Sequence, residues 1–130
     1  MSMKKSLLIL VAVIVAVTAL SITQSGGSAM LIDMSDTAIS FSGIDDFKHE
    51  VAYADIESAV LDDVADWSAF AGHEFGHFRV GHMEDYVLFV STQCDNAVIL
   101  RLKDQTLMIF NYNNASDTES IYNMLLENLQ

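Results

Sequence analysis

Apolar and polar residues alternate with a period of two along much of the chain after residue 30, which predicts a mainly β protein. The segment 39–42 shows the pattern most simply, because isoleucine and phenylalanine alternate there with serine. The segment 51–53 predicts a second strand, and 56–61 predicts either a strand or a helical turn. We expect turns at 43–46 and a polar break around the single tryptophan at 62–68.

The second half of the chain contains the clearest strand patterns. The segment 86–90 is rich in β-branched and aromatic residues, which is typical of a strand buried on both faces. In 98–102 the apolar residues Val98 and Leu100 alternate with Arg101, and 106–110 is apolar again after a polar turn. Short turns between the three segments predict an antiparallel meander.

The period changes to that of a helix near the C-terminus. Ser116 and Glu119 have the spacing of a capping box, in which Ser116 caps the helix start. Ile121, Leu125 and Leu129 then form an apolar stripe on one face. The predicted fold class is therefore mainly β (α+β), an antiparallel sheet or open barrel closed by one C-terminal amphipathic helix.

The N-terminus predicts membrane attachment. Lys4 and Lys5 precede an apolar stretch at 7–22, which is long enough either for a signal peptide or for a short spanning helix. Small residues at 17–19 make a weak cleavage site, so we favour an uncleaved signal anchor over residues 1–25. The two lysines predict a single-pass protein of the cell membrane with its domain, residues 30–130, outside the cytoplasm. Cleavage would make the protein secreted.

Charge and cysteine content exclude several classes of function. All 18 acidic residues lie at Asp33 or later, where only four lysines and arginines occur, so this part carries a formal charge of −14. A surface of this sign repels phosphate, so we expect no nucleic-acid partner and no binding to anionic headgroups. Cys94 is the only cysteine and has no intramolecular disulfide partner.

Three stretches resemble the bacterial PH-like (pleckstrin-homology-like) family. The segment 53–60 is similar to that family's early strand with tyrosine, an acid–isoleucine pair and serine-x-valine. The segment 76–79 is similar to its glycine-x-phenylalanine strand start. Asn111, followed by Thr118 and Tyr122, resembles its closing asparagine and threonine-x-x-x-tyrosine helix.

The resemblance covers 31–129 and implies a PH-like domain of about seven strands and one helix, often tethered to membranes and without assigned chemistry. PH domains that bind phosphoinositides carry a basic pocket between early strands. In this chain that region has only Lys48 among four aspartates, so we expect no phosphoinositide binding. The aspartates are Asp33, Asp36, Asp45 and Asp46.

One motif points to different chemistry. Residues 73–77 read HEFGH, a complete HExxH sequence. On a helix His73 and His77 would share one face and bind zinc, and Glu74 would activate the bound water of a small metallopeptidase. In an extended segment the two histidines would lie about 13 Å apart and could not bind one ion.

We favour the second conformation for residues 73–77. The metzincin continuation would put a third histidine at position 83, which holds Met83, and Gly72 and Gly76 disfavour a helix. In the extended interpretation Phe78 and Val80 face the core and Arg79 faces water. The expected function is a non-enzymatic module without metal or cofactor that binds a protein or peptide, with the zinc peptidase as the alternative.

Overall fold

A computed structural model of the chain describes residues 30–130. Within these residues the secondary structure consists of nine strands, two short 3₁₀ turns and one α-helix, α1 (Ala115–Asn128). The strands are β1 (Leu31–Met34), β2 (Ala38–Ser42), β3 (Lys48–Ala52), β4 (Ile56–Asp63), β5 (His73–Phe75), β6 (Phe78–His82), β7 (Tyr86–Ser91), β8 (Asn96–Leu102) and β9 (Leu107–Phe110).

The chain divides into two compact units. The first comprises Met1–Ala54 with Met124–Gln130, of which the structure describes the part from residue 30 onward, and the second is Asp55–Asn123. The mainly β fold with one C-terminal helix is thereby confirmed. The strands form two sheets and no closed barrel within residues 30–130.

The first unit contains a three-stranded antiparallel sheet in the order β1-β2-β3. Ile39 and Phe41 of β2 are buried, whereas Ser40 and Ser42 are half-buried, as the alternating pattern predicts. The predicted turn at 43–46 is present, with positive φ angles at Gly43 and Asp45.

The second unit contains a six-stranded sheet in the order β4-β8-β9-β7-β6-β5. The predicted antiparallel meander of β7, β8 and β9 is wrong, because β9 lies between the other two and pairs parallel with β7. Residues 92–95 connect β7 to β8 and must cross two strand spacings, about 9.6 Å, which four residues can do. A short connection therefore does not prove that the strands it joins are neighbours.

Both faces of this sheet contribute to the core, as expected for segment 86–90. Leu88, Phe89 and Val90 are all fully buried. One face carries Leu88 and Val90, which form an apolar cluster with Trp67, Ala97 and Ile109. The indole of Trp67 therefore covers this face, although it belongs to the segment predicted as a polar break.

The helix begins two residues earlier than the capping-box prediction requires. Asn114, not Ser116, is the N-cap, because its Oδ1 accepts a hydrogen bond from the backbone N–H of Asp117 at 2.8 Å. Asn114 Nδ2 donates in return to the Asp117 carboxylate at 3.0 Å. Asparagine and serine are equally good N-caps, so local propensity alone cannot choose between the two positions.

The predicted stripe of the helix is only partly buried. Ile121 is buried in the second unit and Leu125 in the first, whereas Leu129 is half-buried. The predicted membrane segment at 7–22 lies outside the described residues. Over residues 30–130 no helix has the length and apolar character needed to cross a bilayer.

Candidate functional site

The HEFGH sequence forms part of a β-hairpin, not a helix. Strands β5 and β6 pair antiparallel around a two-residue turn at Gly76 and His77. Gly76 has a φ of 62°, the positive angle that a type II′ turn requires at its first central position. The helical turn that would place both histidines of the zinc-peptidase alternative on one face is therefore absent.

The residues of that motif consequently have separate positions. His73 lies on β5 with its side chain exposed, and His77 lies in the turn, where its ring packs 4.3 Å from the Phe78 ring. Glu74 forms an ion pair with Arg79 on the adjacent strand. Over residues 30–130 no group of three potential metal-binding side chains is close enough together to hold an ion.

Burial along β6 matches the extended interpretation at two positions and differs at a third. Phe78 and Val80 are buried, as predicted. Arg79 was expected to face water, but its side chain is only 14 % exposed. A loop over residues 64–72, named here the Trp67 loop, covers it: the Phe70 carbonyl accepts a hydrogen bond from Arg79 Nη1 at 3.0 Å.

Arg79 lies at a polar pocket of about 320 Å³ on the sheet face that carries Trp67, next to the edge strand β5. We call this cavity the Arg79 pocket. Charged and polar side chains form much of its wall. The lining includes Asp66, Trp67, Glu74, Thr92 and Asp95.

The Trp67 loop is held against the sheet by aromatic contacts and hydrogen bonds. Trp67 Nε1 donates to the Cys94 carbonyl at 2.8 Å, and the Trp67 and Phe70 rings lie 5.7 Å apart. Phe70 contacts Tyr86 edge to face, and the Tyr86 hydroxyl accepts from the Ala71 backbone N–H at 2.8 Å. The Trp67 loop, which forms one wall of the Arg79 pocket, is therefore held in place by contacts with the sheet.

Gly72 allows the end of this loop to approach the sheet closely. A Cβ atom at this position would lie 3.0 Å from Cγ of Arg79 and 3.2 Å from the Val80 carbonyl oxygen. Both glycines that argued against a helix at 72–77 therefore have specific roles, Gly72 in close packing and Gly76 in the turn.

The charges of the pocket are predominantly negative. Three acidic residues, Asp66, Glu74 and Asp95, line the pocket together with the single cation Arg79, which gives two net negative charges. The Ser68 hydroxyl and backbone N–H donate to Asp66 at 2.7 and 3.0 Å. These hydrogen bonds, together with the charge of Arg79, lower the pKa of Asp66, which therefore remains ionised.

Arg79 itself is only partly satisfied. Nη1 and Nη2 bond to the Phe70 carbonyl and to Glu74, whereas Nε is buried and has no hydrogen-bond partner. Glu74, in contrast, has a side chain that is 62 % exposed. The Glu74 carboxylate is therefore accessible at the mouth of the pocket, whereas the Arg79 guanidinium is largely buried behind it.

A second polar cluster in the same unit surrounds the fully buried side chain of Asn111. Asn111 accepts from the Ser91 backbone N–H at 2.7 Å and donates to the carbonyls of Ser91, Cys94 and Asn96 at 3.1 to 3.3 Å. The Cys94 thiol lies in the same turn, buried and 2.8 Å from the side-chain oxygen of Asn96. Asn111 therefore fixes the connection between β7 and β8 around the inserted strand β9.

The other residues of the PH-like resemblance also make tertiary hydrogen bonds. Thr118 Oγ1 accepts from the Tyr112 backbone N–H at 2.9 Å and donates to the Asn114 carbonyl at 2.8 Å. The Tyr122 hydroxyl donates to the Ala59 carbonyl of edge strand β4 at 3.4 Å. These residues attach the helix start to the sheet of the second unit.

The acidic first unit contains a perturbed tyrosine. Tyr53 donates to the Ser35 carbonyl at 2.8 Å. Burial, followed by the nearby charges of Asp33 and Asp36, raises its pKa well above the usual range. The phenol therefore stays protonated and acts as a hydrogen-bond donor. Lys48 is exposed and lines a separate pocket of this unit with Glu50.

Comparison with known proteins adds no family assignment. Neither the models of protein families, nor the curated proteins, nor the solved structures contain a match to this chain.

Sequence reasoning missed the Arg79 pocket because its residues come from three separate segments. Two local signals do exist. A lone tryptophan among aspartates indicates a loop that packs on a core, and Arg79 lies between the buried residues Phe78 and Val80. That Asp66, Asp95 and Arg79 line one pocket depends on strand order, which these signals do not contain.

Proposed function

We propose that this chain is a membrane-tethered, extracytoplasmic interaction module that is not an enzyme and that binds a protein or peptide partner at strand β5. The observation that carries the proposal is the combination of an exposed sheet edge with a pocket beside it. Extended peptides bind to other proteins by adding a strand to such an edge, with neighbouring pockets selecting side chains.

The pairing pattern supports β5 as that edge. The Thr92 backbone N–H donates to the His77 carbonyl at 2.7 Å, so the backbone groups of Arg79, two residues on, also point toward β7. Glu74 pairs with Arg79 and is therefore a non-hydrogen-bonded position. Its own N–H and C=O groups point away from the sheet, where no strand of residues 30–130 lies beside β5.

The opposite edge of the same sheet, β4, is less suited to docking. The Ala59 carbonyl already accepts from the Tyr122 hydroxyl. The Asp63 backbone N–H donates to the side chain of Asp62 at 2.9 Å. Cover by a helix, here through Tyr122, is one way in which proteins block edge strands from pairing with other chains.

The PH-like plan remains part of the proposal. Asn111, Thr118 and Tyr122 have structural roles that would explain why such residues close a domain of this kind. The parallel pairing of β7 with β9 and the nine strands depart from the plan of about seven antiparallel strands.

Position-specific crosslinking in the native membrane tests the proposed function. A photoreactive amino acid at His73, on β5, should give a discrete crosslinked product, whereas the same residue at the exposed Asn123 of α1 should not. The product should disappear when Glu74 is replaced by proline, which removes the outward N–H without removing a sheet hydrogen bond. Equal products from both positions would overturn the proposal.

The non-enzymatic part has a separate test. We expect the purified full chain in detergent to bind zinc no better than the His73→Ala and His77→Ala variants. Stoichiometric zinc that is lost in both variants, or peptide hydrolysis that is lost in Glu74→Gln, would restore the metallopeptidase alternative.

A further inference from the structure

We infer that the segment that pairs with β5 carries a lysine or arginine opposite Glu74, and that its cationic group enters the Arg79 pocket between Glu74 and Asp66. This inference rests on the proposed function and specifies the chemistry of the partner. The partner is a protein segment in extended conformation with a basic side chain at one defined position.

Strand geometry determines which side chain of the partner reaches the pocket. Residues that face each other on adjacent strands project to the same side of the sheet. Glu74 and its neighbour Arg79 both project to the face that Trp67 covers. A residue opposite Glu74 on an added strand would project to that same face, beside the pocket mouth.

The charges of the pocket select a cation at that position. The pocket has two net negative charges, and the chain from Asp33 onward has a formal charge of −14. Ser68 supplies two hydrogen bonds to Asp66, but a carboxylate has about four acceptor positions. Glu74 is 62 % exposed and can accept further bonds. Both carboxylates can therefore bind an incoming ammonium or guanidinium.

An anionic side chain fits this pocket poorly. Two of the three guanidinium nitrogens of Arg79 are already bonded, and the third is sealed from solvent. An incoming carboxylate would meet Asp66, Glu74 and Asp95 before it reached Arg79. Like charges repel, so these three carboxylates would oppose the entry of a fourth. The volume of about 320 Å³ is within the range of small ligand pockets, so a long side chain can enter.

Selection from a random linear peptide display library, with the full chain in detergent as bait, tests the inference. We expect enriched peptides with one lysine or arginine at a fixed position among β-branched residues. Replacement of that residue by norleucine should weaken binding about tenfold, the size of one charge-assisted hydrogen bond. The double variant Asp66→Asn, Glu74→Gln should bind the basic and norleucine peptides with equal affinity.

A matched control separates the pocket from general attraction to an acidic protein. The double variant Glu57→Gln, Asp62→Asn removes the same number of charges from β4, at the opposite edge of the sheet. It should keep the preference for the basic peptide. If both double variants lose the preference for the basic peptide to the same extent, the inference is overturned.

The outcomes also distinguish this inference from the proposed function. Peptides that lose binding to Glu74→Pro, but show no preference for a basic residue, would refute the inference and leave docking at β5 intact. Basic peptides that bind Glu74→Pro as well as wild type would overturn the inference, since they do not use the edge. A selection without any binding peptide would contradict the proposed function together with the inference.

Discussion

Asn111 and Arg79 belong to the same unit, and both side chains carry more than one hydrogen-bond donor, but their hydrogen-bonding groups are satisfied to different degrees. The Asn111 side chain is fully buried, and both its oxygen and its nitrogen have partners in the turn at 91–96. Arg79 leaves one nitrogen without a partner, and its charge partner Glu74 is mostly exposed. Most buried polar groups of proteins have hydrogen-bond partners, so Asn111 is typical of a structural group, whereas the unpaired nitrogen of Arg79 requires a separate explanation.

Asn111→Ala should cause the largest loss of stability. The substitution removes four hydrogen bonds, three of them buried, and leaves the Ser91 N–H without its partner. We therefore expect a loss of about 3 kcal/mol in the free energy of unfolding. Urea unfolding followed by circular dichroism measures it. Asn123→Ala, at an exposed position of α1, is the matched control and should change stability by less than about 0.5 kcal/mol. Equal effects would contradict a structural role for Asn111.

Trp67→Phe should lower stability by an intermediate amount. Trp67 lines the Arg79 pocket and also bonds to the Cys94 carbonyl in the turn that Asn111 holds. The variant loses the bond from Nε1 to the Cys94 carbonyl and part of the apolar cover, which together cost about 2 kcal/mol. The Cys94 carbonyl keeps its bond from Asn111, so the loss should be smaller than for Asn111→Ala. Urea unfolding of both variants measures the two losses of stability. A larger loss for Trp67→Phe than for Asn111→Ala would contradict the prediction.

Arg79→Met should leave stability within about 1 kcal/mol of wild type. Methionine retains most of the buried volume and removes a buried nitrogen that has no hydrogen-bond partner. The charge that the substitution leaves behind, that of Glu74, is 62 % exposed, so no unpaired charge is buried. Because Glu74 and Asp66 remain, the variant should still bind a basic peptide. A loss of stability comparable to that of Asn111→Ala would mean that Arg79 is a structural group and would remove the contrast between the two regions.

The smallest expected effect is the pH dependence contributed by Asp66. Its pKa is lower in the folded chain than the usual value of about 3.9. A depressed pKa adds stability at higher pH, and this contribution is lost as the pH falls through the folded-state pKa. The stability difference between wild type and Asp66→Asn should therefore be present at neutral pH and disappear in acid.

Ser68→Ala provides the comparison for that titration. It removes the hydroxyl that has the largest influence on the Asp66 carboxylate, so most of the pH-dependent difference should disappear. Urea midpoints measured across the acidic range for the three proteins give the result. If the stability difference between wild type and Asp66→Asn is the same at all pH values, Asp66 acts through packing and not through its charge.

Local pattern predicted the elements of this protein better than their arrangement. The strand at 86–90, the alternation in 98–102 and the C-terminal helix depend on near-neighbour periodicity, and all three are present. The helix start at Asn114 could have been predicted, since asparagine caps helices as well as serine does. Strand β5 has only three residues, too few for a period to show.

The sequence by itself determined that the described chain is mainly β, acidic, rich in turns and equipped with one C-terminal amphipathic helix, because these properties follow from composition and from side-chain spacing along the backbone. Only the tertiary structure decided that β9 lies between β7 and β8, that HEFGH is a hairpin, and that Arg79 is covered by the Trp67 loop. The physical reason is that these features depend on contacts between residues far apart in the chain, such as the Asn111 bonds to the turn at 91–96 and the Trp67 bond to Cys94. The free energy of such contacts is gained only after strand order is established, and local periodicity does not encode that order.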